Sequence, residues 1–459
     1  MKTRLFVWFS IWVFGCNVYG QESGLLVESS AEFLNFSLLR QQDHIYFGEA
    51  GPNDLYEHLK EICLGEQTTL SLGGSYRSQV EGFINEQFNS AVDQDDLWHL
   101  NRLMAHAHFK IDKRFELFAE LNSSFITSKD NLAPVDRDEL AINQLFVSYW
   151  IDPQWNLLVG RQNMRMGSGR LVDIREGPNV RLSFDMAQLK FKDENTEITA
   201  FYAIPVRPAA GIFDNDALNT TETLAGIYWT QNWSENNNTD LYAFYKQEEQ
   251  KTWNSGTADD NRLSLGVRHF GNWNRLRYNN EFVIQTGDFG TQNIFAWTAS
   301  FNIEHPVKVL GIEGTLGLKT EAISGDTSTT DNRLGTFDGL YPRGAYFGRV
   351  ARIGPSNLID FHPYCNTEIG PVALSLDYVA FWRFSKEDGL YGPPLTLDYP
   401  DVNDSRFIGH QIGTIAGLEI NRHIAFELET NLIFPGDFLK NSGLNDTLFH
   451  AVFTTEIKF

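Results

Sequence analysis

From Thr69 onward the chain alternates between apolar and polar positions. The stretch Thr447–Phe459 shows the pattern most cleanly. Phe449, Ala451, Phe453, Thr455, Ile457 and Phe459 fall on one face, and His450, Thr454, Glu456 and Lys458 on the other. A period of two is that of an extended strand with one apolar and one wet face. About 18 such segments can be marked, an even number suited to an up-and-down barrel. They lie near 69–80, 97–112, 115–126, 141–151, 155–163, 182–192, 197–205, 222–231, 239–247, 261–270, 276–285, 293–303, 311–323, 356–369, 372–383, 409–420, 424–432 and 447–459.

The connections alternate short and long. Asp112–Arg114, Asp152–Gln154, Gly370–Pro371 and Asn421–His423 are tight. Thr127–Leu140, Met164–Arg181, Val206–Thr221, Ser324–Pro355 and Phe384–Ile408 are long. Antiparallel strands with tight turns at one end and long loops at the other predict an all-β fold. The expected form is a transmembrane antiparallel up-and-down barrel with short periplasmic turns and long extracellular loops. No stretch approaches the roughly 20 apolar residues of a spanning helix. A closed barrel is the other structure that satisfies its own backbone in lipid.

Strand parity sorts the side chains. Leu103, Ala105, Ala107, Phe109 and Ile111 are expected to face lipid, and Arg102, His106, His108 and Lys110 the lumen. Phe115, Leu117, Ala119 and Leu121 oppose Glu116, Glu120 and Asn122. Ile312, Leu316 and Leu318 oppose Glu313, Lys319 and Glu321. The expected lumen is polar and charged with both signs. His106 and His108 read as polar wall residues rather than a metal site, since no third ligand is indicated.

Residues 1–20 have the form of an export signal: Lys2 and Arg4, an apolar run over Leu5–Phe14, and small residues before Gln21. Residues 21–68 do not alternate. Pro52-Asn53-Asp54 followed by Leu55, Leu59 and Ile62 predicts a short helix in a periplasmic N-terminal segment or one packed into the barrel mouth. The barrel itself spans 69–459.

The formal charge is −22; the leader carries two bases and no acids, so the chain without it stands at −24. That balance excludes nucleic acid as a partner. Aromatic residues make up 14%, which suits interfacial girdles. Cys63 and Cys365 lack metal or redox spacing and read either as a disulfide or as two small apolar residues. There is no GxSxG and no HExxH, and no cofactor is indicated, so the chain is not read as an enzyme.

Two stretches depart from this background. The first, Gly160–Asp185, reads G-R-Q-N-M-R-M-G-S-G-R-L-V-D-I-R-E-G-P-N-V-R-L-S-F-D and concentrates Arg161, Arg165, Arg170, Arg175 and Arg181 in an acidic chain. The second runs from Ser324-Gly325-Asp326 to Thr336-Phe337-Asp338-Gly339-Leu340-Tyr341-Pro342. With Leu72-Gly73-Gly74-Ser75-Tyr76-Arg77 and the run Phe115–Leu121, they resemble the alginate-export family of outer-membrane porins. The resemblance covers most of the chain from about residue 40.

It implies an 18-stranded barrel in bacterial outer-membrane lipid through which an anionic poly- or oligosaccharide passes. The implied pore-lining set is Arg161, Arg165, Arg170, Arg175 and Arg181, with Arg102, His106, Lys110, Lys190, Lys319 and Asp185. Fixed guanidinium groups in a confined channel attract carboxylated sugars. The terminal strand ending in Phe459 is similar to those that barrel-assembly machinery recognises.

Alternatives stay open. Asp173, Glu176 and Asp185 are near enough in sequence to pair with the arginines and hold a folded-in loop. Asp326 and Asp331 read as an acidic solvated loop rather than a calcium site. The rival to an open channel is a structural or receptor-like barrel whose loops plug the lumen.

Overall fold

The structure, a computed structural model, describes residues 33–47, 54–91, 96–309, 311–400 and 402–459. The expected export signal, 1–20, lies outside the described residues.

Eighteen antiparallel strands close into one barrel. They are β1 (Thr68–Ile84), β2 (Asp96–Ile111), β3 (Phe115–Thr127), β4 (Asp138–Trp150), β5 (Trp155–Gln162) and β6 (Phe184–Lys192). Next come β7 (Thr196–Pro205), β8 (Glu222–Ser234), β9 (Asn237–Trp253), β10 (Gly256–Trp273), β11 (Leu276–Phe289) and β12 (Gln292–Val309). The last six are β13 (Ile312–Ile323), β14 (Leu358–Ile369), β15 (Val372–Arg383), β16 (Phe407–Asn421), β17 (Ile424–Pro435) and β18 (Leu448–Lys458). Each pairs with its neighbours in sequence, and the seam is β18 on β1, from Phe449 opposite Ile84 to Lys458 opposite Ser75. Every alternating segment marked in the sequence is one of these strands, several of them longer than marked. Closure leaves no edge for lipid to meet.

The outer face carries the apolar set. Leu103, Leu121, Val147, Leu189, Leu241, Leu265, Phe301, Leu316, Leu376 and Phe453 are all exposed. One rim carries only short turns; the other carries the long loops but also two two-residue turns, 254–255 and 290–291, which the alternation of short and long connections did not anticipate. Cys63 and Cys365 are both free, the first exposed and the second half-buried.

The lumen differs from the uniformly polar one expected. Toward the long-loop rim its wall is apolar: Phe83, Leu100, Met186, Ala203, Leu224, Val283, Ile323, Leu358, Phe381, Ile408, Ile433 and Leu448 point inward and are buried in one cluster. The other side of that cluster is Met164, Leu171, Val172, Phe337, Leu340, Tyr341, Phe347, Val350 and Ile353, from two loops that fold into the barrel, with Phe438 and Leu439 of helix α2 (Asp437–Asn441). The inserted chain excludes water, so parity there selects core residues rather than wet ones. Lower in the barrel the inward positions are polar or charged: Arg77, Arg102, His106, His108, Glu120 and Gln144 are buried there.

The described residues before β1, 33–47 and 54–67, lie against the inner side of the seam, where Arg40 donates to Gly74 O and Lys60 to Leu72 O. Helix α1 (Leu55–Lys60) starts where expected, capped by the Asp54 carboxylate, which accepts from the Glu57 backbone N–H.

Leu103→Arg, at the middle of β2 on the outer face, is expected to lower barrel stability by about 2–4 kcal/mol. Urea-driven unfolding from liposomes measures this; an unchanged midpoint would remove the outer face from lipid.

Candidate functional site

The two inserted loops form one body. Residues 163–183 join β5 to β6, and residues 324–357 join β13 to β14. Their backbones meet in the lumen: Tyr341 N–H donates to Leu171 O at 2.8 Å, and Asp173 N–H to Tyr341 O at 3.0 Å. Asn179 ties the first loop to the wall by donating to the carbonyls of Asn101, Phe125 and Asp136 at 3.0–3.3 Å. The second is tied by Asp338, which accepts from Lys246 at 3.2 Å, while its backbone N–H donates to Gln285. Asp326 is buried, not solvated as expected. It accepts from Gly335 N–H at 3.3 Å, and its own N–H donates to Asp388 at 2.8 Å.

Most of the arginines are matched by carboxylates. Glu176 sits among three of them, pairing with Arg102 and Arg181 and lying 3.5 Å from Arg77. Arg77 and Arg102 are cross-strand neighbours on β1 and β2, so two parallel side chains reach one carboxylate. Arg77 also donates to Glu176 O and Pro178 O at 2.7 and 2.9 Å. Burial alone would raise the Glu176 carboxyl, but Arg102, Arg181 and Arg77 together hold it well below its ordinary value. Arg170 pairs with Glu281 and Glu321; burial would lower its guanidinium, and those partners more than offset the loss. Arg165 lies 3.5 Å from Asp173 inside its own loop.

Arg175 differs. Burial pulls its guanidinium below the ordinary value, and it makes no ion pair among the described residues. Its Nε donates to Pro342 O at 3.3 Å, which sets it beside the second loop. There Arg343 is half-buried and makes no ion pair among the described residues. Lys319, on β13, is exposed on the lumenal wall, also with no ion pair among the described residues. Its ammonium lies over the Tyr364 ring at 5.1 Å. The tips of both loops here, 175–178 and 343–346, are half-exposed.

The remaining expected positions are dispersed. Arg161 and Asp185 belong on the outer face, not in the pore-lining set. They share the parity of exposed Val159 and Leu189 and neutralise each other at 2.8 Å. The sequence held a sign of this, because apolar Val159 shares the face of Arg161. Lys190 pairs with Glu197 at 2.9 Å. Lys110 is exposed near the short-turn rim. His106 is buried on the wall, stacked on Phe118 with ring centroids 5.4 Å apart. Arg343 and Arg77 were not singled out as site residues. The available signal was position: Arg343 directly follows the T-F-D-G-L-Y-P run, and Arg77 ends L-G-G-S-Y-R.

A family model described as "Alginate export" matches residues 68–451. Among curated proteins none matches the chain. Several solved structures share the fold. The outer membrane protein OpdK from Pseudomonas aeruginosa superposes with a TM-score of 0.58 at 9% identity, covering 85% of this chain and 98% of its own. OpdO from the same organism gives 0.57 at 10% identity over 88% and 99%. OccAB4 of Acinetobacter baumannii gives 0.55 at 11% over 86% and 99%.

Glu176→Ala leaves Arg77, Arg102 and Arg181 facing one another without a counter-charge. The expected cost is about 3–5 kcal/mol, as for other buried pairs stripped of one partner, read as a drop in the loop-protection midpoint in limited proteolysis. Because the folded carboxyl is held low, this contribution is complete above the ordinary glutamate value and is lost only as pH falls below it. Asp326 has the opposite sign. Burial pushes it up to about 6, so its charge costs stability above that pH and the cost vanishes on acidification. Asp326→Asn should therefore stabilise the loop at pH 8 by up to about 2 kcal/mol and do nothing at pH 4.

Proposed function

The chain belongs to the alginate-export family of outer-membrane barrels, and on that premise we propose that it passes an anionic oligo- or polysaccharide, a string of carboxylated sugars, through its lumen. A porin-type barrel of the bacterial outer membrane is a transport fold rather than an enzyme fold. The observation that carries the reading is the set Arg175, Arg343 and Lys319. These are three lumenal cations without carboxylate partners among the described residues, on two loop tips and the facing wall.

The physics of release fits the same set. An exposed cation–carboxylate contact is worth roughly 0.2–1 kcal/mol. Three such contacts in series favour entry without trapping the polymer at any one of them. The paired arginines have a supporting part: Arg102, Arg165, Arg170 and Arg181 hold the loop that presents Arg175. Outside the barrel, Phe449, Phe453 and Phe459 line the outer face of β18, the surface offered to assembly machinery.

A second reading rests on the apolar cluster in the upper lumen. If the two loops never move, the barrel is plugged, and its outer loops serve as a binding surface.

Purified protein in a planar bilayer separates the two. The channel reading expects anion-selective current that oligouronate blocks. Changing Arg175, Arg343 and Lys319 together to alanine should bring anion preference close to parity and weaken block about tenfold, or about 1.4 kcal/mol. Cation selectivity, or silence in wild type and variant alike, would favour the plugged barrel.

A further inference from the structure

Three arginines near the long-loop rim each face a carboxylate. Arg137 pairs with Glu139, Arg161 lies 2.8 Å from Asp185, and Arg207 lies 3.8 Å from Glu222. Arg333 and Arg406, at the same rim, do not. Both are exposed, and neither makes an ion pair among the described residues.

The two share one aromatic shelf at the top of the lipid-facing wall. β12 reaches the rim with Phe295 and Trp297 on its outer face, the face that carries exposed Phe301 further down, while Ala296 and Thr298 are buried on the other. A two-residue strand, Arg333–Leu334, runs beside β12, with Arg333 next to Asn293 and Leu334 next to Ile294. Leu334 and Ile294 are buried together in one apolar cluster, which leaves Arg333 on the outer side. Its guanidinium stands 4.7 Å from the centre of the Phe295 ring, and Nη2 donates to Phe295 O at 3.5 Å. Trp297 meets Phe384 edge to face, with ring centroids 5.5 Å apart. The Phe384 carbonyl accepts from Arg406 Nη1, which also donates to Arg383 O at 3.4 Å. Trp382 and Phe407 continue the shelf, with centroids 5.6 Å apart.

One side of each guanidinium is thus fixed by a ring face or by carbonyls. The remaining donors, Nε and Nη1 of Arg333 and Nε and Nη2 of Arg406, have no acceptor among the described residues. The acids nearest in sequence are engaged elsewhere. Asp331 accepts the Arg333 backbone N–H at 3.0 Å, and Asp404 lies 3.9 Å from Lys386.

Aromatic rings at the end of an apolar band sit at the level of lipid headgroups. Guanidinium groups set on those rings meet the headgroups, and a planar fork of N–H donors matches the oxygens of a phosphate. A solute in the lumen does not reach them, because Leu334 and Ile294 close the inner side.

We propose that Phe295, Trp297, Phe384, Arg333 and Arg406 form a docking site for one phosphorylated lipid of the surrounding leaflet. Its phosphate groups lie on the two arginines and its acyl chains along the wall below Phe295. Charge complementarity selects the head, and continuity with the lipid-facing wall selects a lipid over a soluble anion. The site is independent of what passes through the lumen.

The test titrates the folded barrel in detergent with diphosphoryl lipid A, with the same lipid stripped of phosphate, and with inorganic phosphate. Native mass spectrometry counts the retained lipid, and heat-shifted mobility in SDS confirms that each variant is closed. Wild type should keep one lipid A per chain. Arg333→Ala with Arg406→Ala should weaken retention about tenfold, and Arg333→Lys with Arg406→Lys should recover part of it. Arg137→Ala with Arg207→Ala should leave it unchanged. If the alanine form fails to close, Arg333→Gln with Arg406→Gln takes its place. Equal retention by wild type and variant overturns the site. So does equal retention of the phosphate-free lipid, or an equal loss in the Arg137 and Arg207 variant. Inorganic phosphate or oligouronate that displaces lipid A at similar concentration also overturns it, by making the arginines a general anion site.

Discussion

The lumen is organised around one half-buried carboxylate. Glu176 lies on a loop, yet its partners Arg77 and Arg102 stand on the first two barrel strands, and Arg181 on the return of the same loop. Bringing three guanidinium groups together costs several kcal/mol of repulsion and desolvation unless a counter-charge sits between them. Glu176 fixes where the loop tip rests. Arg175, one residue earlier, takes a left-handed backbone conformation with φ of 54° and points toward the second loop. The free cation is placed by its paired neighbour.

That arrangement shows how an acidic chain can carry cations without ion pairs among the described residues at its loop tips. Net charge counts residues wherever they lie. In the lumen, Glu281 and Glu321 are consumed by Arg170, Glu176 by its three arginines, and Glu427 and Glu429 by Arg349. The acidic lumenal residues that weigh against an anion path in the sequence are the fasteners of the loops in the structure.

The outer half of the fold was legible in the sequence because lipid imposes a strict rule. Leu103 and Leu316 must face out, and a one-residue slip would put charges there. The inner half was not, because two environments share it. Ile323 and Leu358 point into the lumen as surely as Glu321 and Lys319 do, but they meet Tyr341 and its neighbours rather than water. Nothing local in β13 says that a loop from elsewhere will arrive. The pairing of Arg170 with Glu281 and Glu321 spans 111 and 151 residues and was equally hidden. By contrast, the possibility that the arginines brace a folded-in loop was readable from Asp173 and Glu176 nearby.

The contact between Arg40 and Phe459 joins residues 419 apart in sequence. The cost of closing so long a loop grows only slowly with its length, but the partner carbonyls come together only when the last strand docks on the first. The clasp is therefore a late event in assembly and reports that no strand is missing. An incomplete or misregistered ring would offer Arg40 one carbonyl instead of two. The seating of Arg40 on both sides of the seam is thus a consequence of ring closure and a marker of it.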